Sequence, residues 1–120
     1  MTELECQKIF DYIVKREHLT RQKLQLKIKG VQSGYASYLT GLMIVPQWAL
    51  RNQYEGTAYI IHELAHFVTK KKRKGDWDEA HGTAFKRTEN RLLKLFSLKI
   101  DRKRAYSKAI YYNGSKVITK

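Results

Sequence analysis

The stretch from Gly56 to Lys72, GTAYIIHELAHFVTKKK, leaves this chain few ways to fold. Ala58, Tyr59, Ile60, Ile61, Leu64, Ala65, Phe67 and Val68 put apolar groups round nearly every side of a helix. Such a helix has no face to give to water, so it belongs in the middle of the core with other elements packed around it. The same segment carries His62, Glu63 and His66. Three polar side chains in so apolar a helix cost several kcal/mol if they are buried without partners. The fold must therefore supply partners as well as cover.

His62 and His66 are four residues apart, one turn of helix, so both imidazoles stand on one face and can point at one ion. Glu63 is one residue round from His62 and can reach a water on that ion without being a ligand. This is the H-E-x-x-H arrangement, two nitrogen ligands with a carboxylate placed to take a proton. Zinc in such a site brings the pKa of its water to about 7, and the glutamate serves as general base.

A catalytic zinc needs a third protein ligand and one open position. Two residues downstream offer themselves: His81, fifteen positions after His66, and Glu89, eight beyond His81. His81 is the favoured ligand. It comes directly after a tight turn from the zinc helix, and Gly82 lets the backbone approach closely. Phe85 is expected to pack beneath it. Glu89 stays as the alternative.

Around this centre the pattern is of mixed elements. Residues 3–17 place Leu4, Cys6, Ile9, Phe10, Ile13 and Val14 largely on one side of a helix that Thr2 can cap. KLQLKIK alternates Leu24, Leu26 and Ile28 with polar residues, the pattern of a half-buried strand. GYASYL and GLMIVP give two more short strands, separated by Gly41 and ended by Pro46, in a small sheet expected to lean antiparallel. KKKRKG closes the central helix, with Gly75 as the stop. Asp76 and Glu79 form a capping box for a third helix carrying Phe85, Leu92, Leu93 and Phe96. In the tail, Asn113-Gly114 between two β-prone runs signals a hairpin. The fold class is α+β in one domain over residues 1–120.

Cys6 stands alone, which rules out an intrachain disulfide or a cysteine-rich zinc site and fits a small buried apolar role. No apolar run approaches the ~20 residues that span a bilayer, and the N-terminus lacks the features of a secretory signal. A reduced, cytoplasmic setting without membrane contact is the expectation. Charge is the loudest compositional signal: 24 Lys and Arg against 11 Asp and Glu, a net +13. That balance favours a polyanionic partner, nucleic acid before membrane. The densest basic runs are Lys70, Lys71, Lys72, Arg73 and Lys74, and then Arg102, Lys103 and Arg104. The second has tyrosines beside it, which suits stacking with the bases of a single strand.

HELAH, with HGTAF following fifteen residues after its second histidine, resembles the SprT-like zinc metalloproteases and the related WLM-type domains. The resemblance covers about Gly56 to Phe96. It implies a zincin-like fold with an active-site helix and a following ligand-bearing helix, zinc held by His62, His66 and His81, and Glu63 as catalytic base. It also implies a protein substrate associated with DNA. The chain departs from many SprT-like proteins in being unable to form a cysteine-rich zinc ribbon, which weakens the carry-over of DNA dependence more than that of the zinc site. HELAH is also similar to the motif of ImmA/IrrE-type regulatory peptidases, whose downstream ligand is a glutamate; Glu89 would fill that role. A third reading is a non-enzymatic basic nucleic-acid-binding domain with a structural zinc.

Overall fold

A computed structural model describes residues 1–72, 82–100 and 117–119. The first element is helix α1, Glu3–Arg16. Its start is the expected cap extended to a full capping box: the Glu5 amide donates to Thr2 Oγ1 at 3.1 Å, and the Thr2 amide to Glu5 Oε1 at 2.9 Å. Cys6, Phe10 and Ile13 are buried, whereas Leu4, expected on the same side, is exposed. Left-handed backbone at His18 (φ 57°) turns the chain, which drops Leu19 into the core.

Three strands follow: β1, Gln25–Lys29; β2, Tyr35–Ala36; and β3, Leu42–Pro46. They form one sheet in the order β1-β3-β2. β1 alternates exposed and half-buried residues, as its Leu/Lys pattern requires. β3 takes the centre, with Met43, Ile44 and Val45 all buried, as its unbroken apolar run demands.

The expected antiparallel lean holds only for the shorter pairing. β2 is antiparallel to β3, but β1 is parallel to it, in a register from Gln25↔Leu42 to Lys29↔Pro46. The reason is topological: the chain reverses once into β2 and again into β3, and β3 inserts between the other two. At the second reversal Gly41 has φ +73°, and its amide donates to the Ser37 carbonyl at 2.9 Å. The first reversal is pinned from outside the sheet. Gly34 donates its amide to the Tyr59 hydroxyl at 2.6 Å, and the Trp48 indole donates to the Gln32 carbonyl at 2.8 Å.

Helix α2, Gln53–Lys72, is the central element. It starts before Gly56, because the Asn52 side-chain oxygen accepts from the amides of Tyr54 (2.8 Å) and Glu55 (3.3 Å). Every residue from Glu55 to Ala65 is buried. Cover comes from α1, the sheet, a short 3-10 turn at Gln47–Arg51, and helix α3, Thr83–Lys94. Arg91 of α3 grips the Glu17 carboxylate at the end of α1 with two nitrogens, at 3.0 and 2.5 Å.

After α3, strand β4 (Leu98–Ile100) pairs antiparallel with β5 (Val117–Thr119), which runs beside α2. β4 was not expected. The second β-prone run of the tail forms β5, which pairs with 98–100. The Asn113-Gly114 hairpin, the Asp76/Glu79 capping box and the Gly75 stop lie outside the described residues. Among the described residues, no helix is long and apolar enough to cross a membrane.

Two outcomes are expected. Burial, assisted by Glu3, pushes the Cys6 thiol up to about 12. Native protein should therefore resist a thiol reagent in mildly alkaline buffer and react fully once unfolded, as read by absorbance. A Cβ at Gly34 would sit 2.1 Å from the Ile44 carbonyl oxygen and 2.9 Å from the Tyr59 ring. Gly34→Ala should thus destabilise the protein by roughly 1–3 kcal/mol or more in urea unfolding, since the strand must shift off the helix.

Candidate metal centre

α2 delivers three polar side chains to one place because they fall on consecutive turns of a helix that cannot turn them to solvent. His62 and Glu63 are buried, and His66 is half-buried. The rings of His62 and His66 lie 5.0 Å apart between centroids and nearly perpendicular, at 88°.

α3 supplies the facing wall. Phe85 is buried, its ring edge-on to His62 at 5.0 Å and tilted by 31° over His66 at 4.4 Å. One turn further along α3 is Glu89, with no exposed surface at all. Its Oε2 lies 2.8 Å from His62 Nδ1. α3 thus confines both imidazoles with one apolar residue and engages one of them with one acidic residue.

The electrostatics follow from this burial. The Glu63 carboxyl is pushed up to about 8, chiefly by loss of solvation and then by the Glu89 carboxylate nearby. Two tyrosines feel the same charge. Tyr38 and Tyr59 are both raised above the usual phenol range, first by burial and also by Glu63; at Tyr59 the bond from the Gly34 amide acts the other way. The Tyr38 hydroxyl donates to the His66 carbonyl at 3.1 Å, and its ring meets Phe67 edge-to-face. Tyr38 is half exposed, so it forms the rim of the site on the sheet side.

Of the residues singled out in the sequence, His62, Glu63, His66 and Glu89 are thus brought together, with Phe85 against the two histidines. His81 lies outside the described residues. Among the described residues, no group of three or more His, Cys, Asp or Glu side chains is arranged to hold a metal ion. Of the basic residues, Lys70 is placed with its Nζ 5.8 Å from the centroid of the Tyr38 ring. Lys71 and Lys72 end α2, while Arg73, Lys74, Arg102, Lys103 and Arg104 are outside the described residues.

Tyr38 and Tyr59 were not singled out for the site beforehand. Tyr59 was within reach, being one helical turn before Glu63. Tyr38 was not, because its place depends on how the β2–β3 turn docks on α2. No family model matches the chain, and no curated protein or solved structure matches it significantly.

The raised Glu63 carboxyl has a stability consequence for the metal-free protein. Below its ordinary value of 4.5 the group is protonated whether the chain is folded or not. Between there and about 8 the folded chain keeps a proton that the unfolded chain has released, so rising pH favours unfolding. In the presence of a chelator, the urea midpoint should therefore fall from about pH 5 to about pH 8 in the wild type, and fall less in Glu63→Gln.

Proposed function

We propose that the chain is a zinc-dependent peptidase of the SprT-like kind, acting on proteins associated with DNA. The observation that carries this reading is the placing of buried His62 and Glu63 and half-buried His66 together on one helix. Two imidazoles one turn apart and a carboxylate beside them occupy a helix whose other buried positions are overwhelmingly apolar. Unpaired, such groups oppose folding; as a nitrogen-rich donor set with an adjacent base, they suit zinc. Two imidazoles are donors that zinc accepts; His62 and His66 would be ligands, and His81 would be the third, as the SprT-like resemblance implies.

Zinc held there would polarise a peptide carbonyl, make water acidic at neutral pH, and oppose with its charge the burial that raises Glu63. Glu63 takes the proton of the attacking water and returns it to the nitrogen of the departing amine. Phe85 and the α2–α3 packing keep bulk water from the inner side of the two imidazoles. Tyr38, at the rim, offers a phenol within the field of Glu63. The net charge of +13 supports a substrate held near a polyanion, and Lys70 beside the exposed Tyr38 ring puts one cation at the rim of the site.

One observation favours a second reading: Glu89 is drawn into the site, as an ImmA/IrrE-type peptidase with a glutamate ligand would require. Its contact with Nδ1 of His62 argues for a different role, taken up below.

Glu63→Gln should keep about one zinc per chain by elemental analysis and lose peptide cleavage by about 10²–10⁴-fold, the usual span for a general base. His66→Ala should lose both. Retained turnover in Glu63→Gln would overturn the mechanism. Zinc binding without cleavage of any tested protein, with or without DNA, would move the chain to a basic binding domain with structural zinc.

A further inference from the structure

We propose that Glu89 is a positioning residue: its carboxylate holds His62 as the tautomer that carries the proton on Nδ1, and so turns Nε2 toward the centre shared with Glu63 and His66. The inference builds on the peptidase reading but makes its own claim about the metal-free chain.

The argument starts from burial. Glu89 has no exposed surface, and it sits on the same face of α3 as Phe85, Leu92 and Leu93, packed against an apolar helix. A carboxylate that stays charged in that position needs hydrogen bonds to hold it. The one to His62 is short, 2.8 Å, and joins groups 27 residues apart in the chain. A carboxylate only accepts, so the imidazole nitrogen facing it must be the one that carries hydrogen. In the neutral imidazole that leaves Nε2 as the nitrogen with a lone pair to offer an ion.

The same contact decides between the two roles that the sequence left open. The nitrogens of an imidazole point away from each other across the ring. A carboxylate oxygen bonded to Nδ1 is therefore on the far side of His62 from an ion on Nε2, well beyond the ~2.0–2.2 Å of a zinc–carboxylate bond. Glu89 and His62 Nε2 cannot serve one ion in this arrangement. Phe85 and Glu89, one turn apart on α3, divide the work: the aromatic ring confines both imidazoles, and the carboxylate sets which nitrogen of His62 faces inward. Partners of this kind raise the basicity of the ligand and fix its ring.

The test uses the full chain with two substitutions. Glu89→Gln keeps an oxygen that can accept from Nδ1, whereas Glu89→Met keeps the volume and removes every acceptor. Long-range 15N–1H correlation spectra of the metal-free, labelled protein read the His62 tautomer. Titration with zinc against a chromophoric chelator reads affinity and stoichiometry. Wild type should show His62 with hydrogen on Nδ1; Glu89→Gln should keep it, and Glu89→Met should shift it toward Nε2. All three should bind about one zinc per chain, with Glu89→Met weaker by about 10–100-fold and Glu89→Gln in between.

Hydrogen on Nε2 of His62 in the wild type, or a tautomer unmoved in Glu89→Met, would overturn the proposal. Equal zinc affinity in all three proteins would reduce Glu89 to a packing residue and overturn it too. Loss of the zinc from both variants would make Glu89 a ligand. A wild type that binds no zinc, yet whose His62 tautomer follows Glu89, would uphold the positioning role and overturn the peptidase reading alone.

Discussion

A helix buried without a break from Glu55 to Ala65 has no solvent-facing side, so the stability of everything around it depends on keeping that cover in place. α1, α3, the sheet and the Gln47–Arg51 turn each close a different side of α2. The Glu17–Arg91 pair joins two of the covering helices directly, which helps hold them in fixed relation across the central one.

The same constraint governs the polar groups that α2 carries. Glu55, near its start, is almost fully buried but meets Arg51 through two hydrogen bonds of 2.9 and 3.1 Å. His62 meets Glu89. Glu63 is handled differently: loss of solvation and the nearby Glu89 carboxylate both disfavour its charge, and the carboxyl holds its proton to about 8. A fold selected for stability alone has no use for a carboxyl in that state. Carboxyls perturbed in this way cluster at functional sites.

Much of this was legible in the sequence, for reasons that differ element by element. α1 and β1 could be read from their hydrophobic period, and α2 from an apolar run too long for a strand. The beginning of α2 was missed by three residues, since Gln53-Tyr54-Glu55 is too polar to extend an apolar pattern, and the Asn52 cap went unread. Strand order was not legible: alternation says which face is wet, never which neighbour a strand pairs with. β4, three residues after a helix end, was too short to signal. At the site, the His62/Glu63/His66 cluster follows from spacing on one helix. The contact of Glu89 with His62 does not, because it depends on how α2 and α3 cross.

The placement of β3 between β1 and β2 also bears on how the chain reaches this structure. β1 and β2 are close in sequence, and the local solution for two such strands is to pair as a hairpin. Here the third strand lies between them. The hydroxyl of Tyr59 on the Gly34 amide supplies the means, because it fixes the first reversal to the helix rather than to β1. The sheet is thereby tied to α2. Tyr59 lies one helical turn from Glu63, so the anchor of the first reversal and the buried carboxyl share a single stretch of helix.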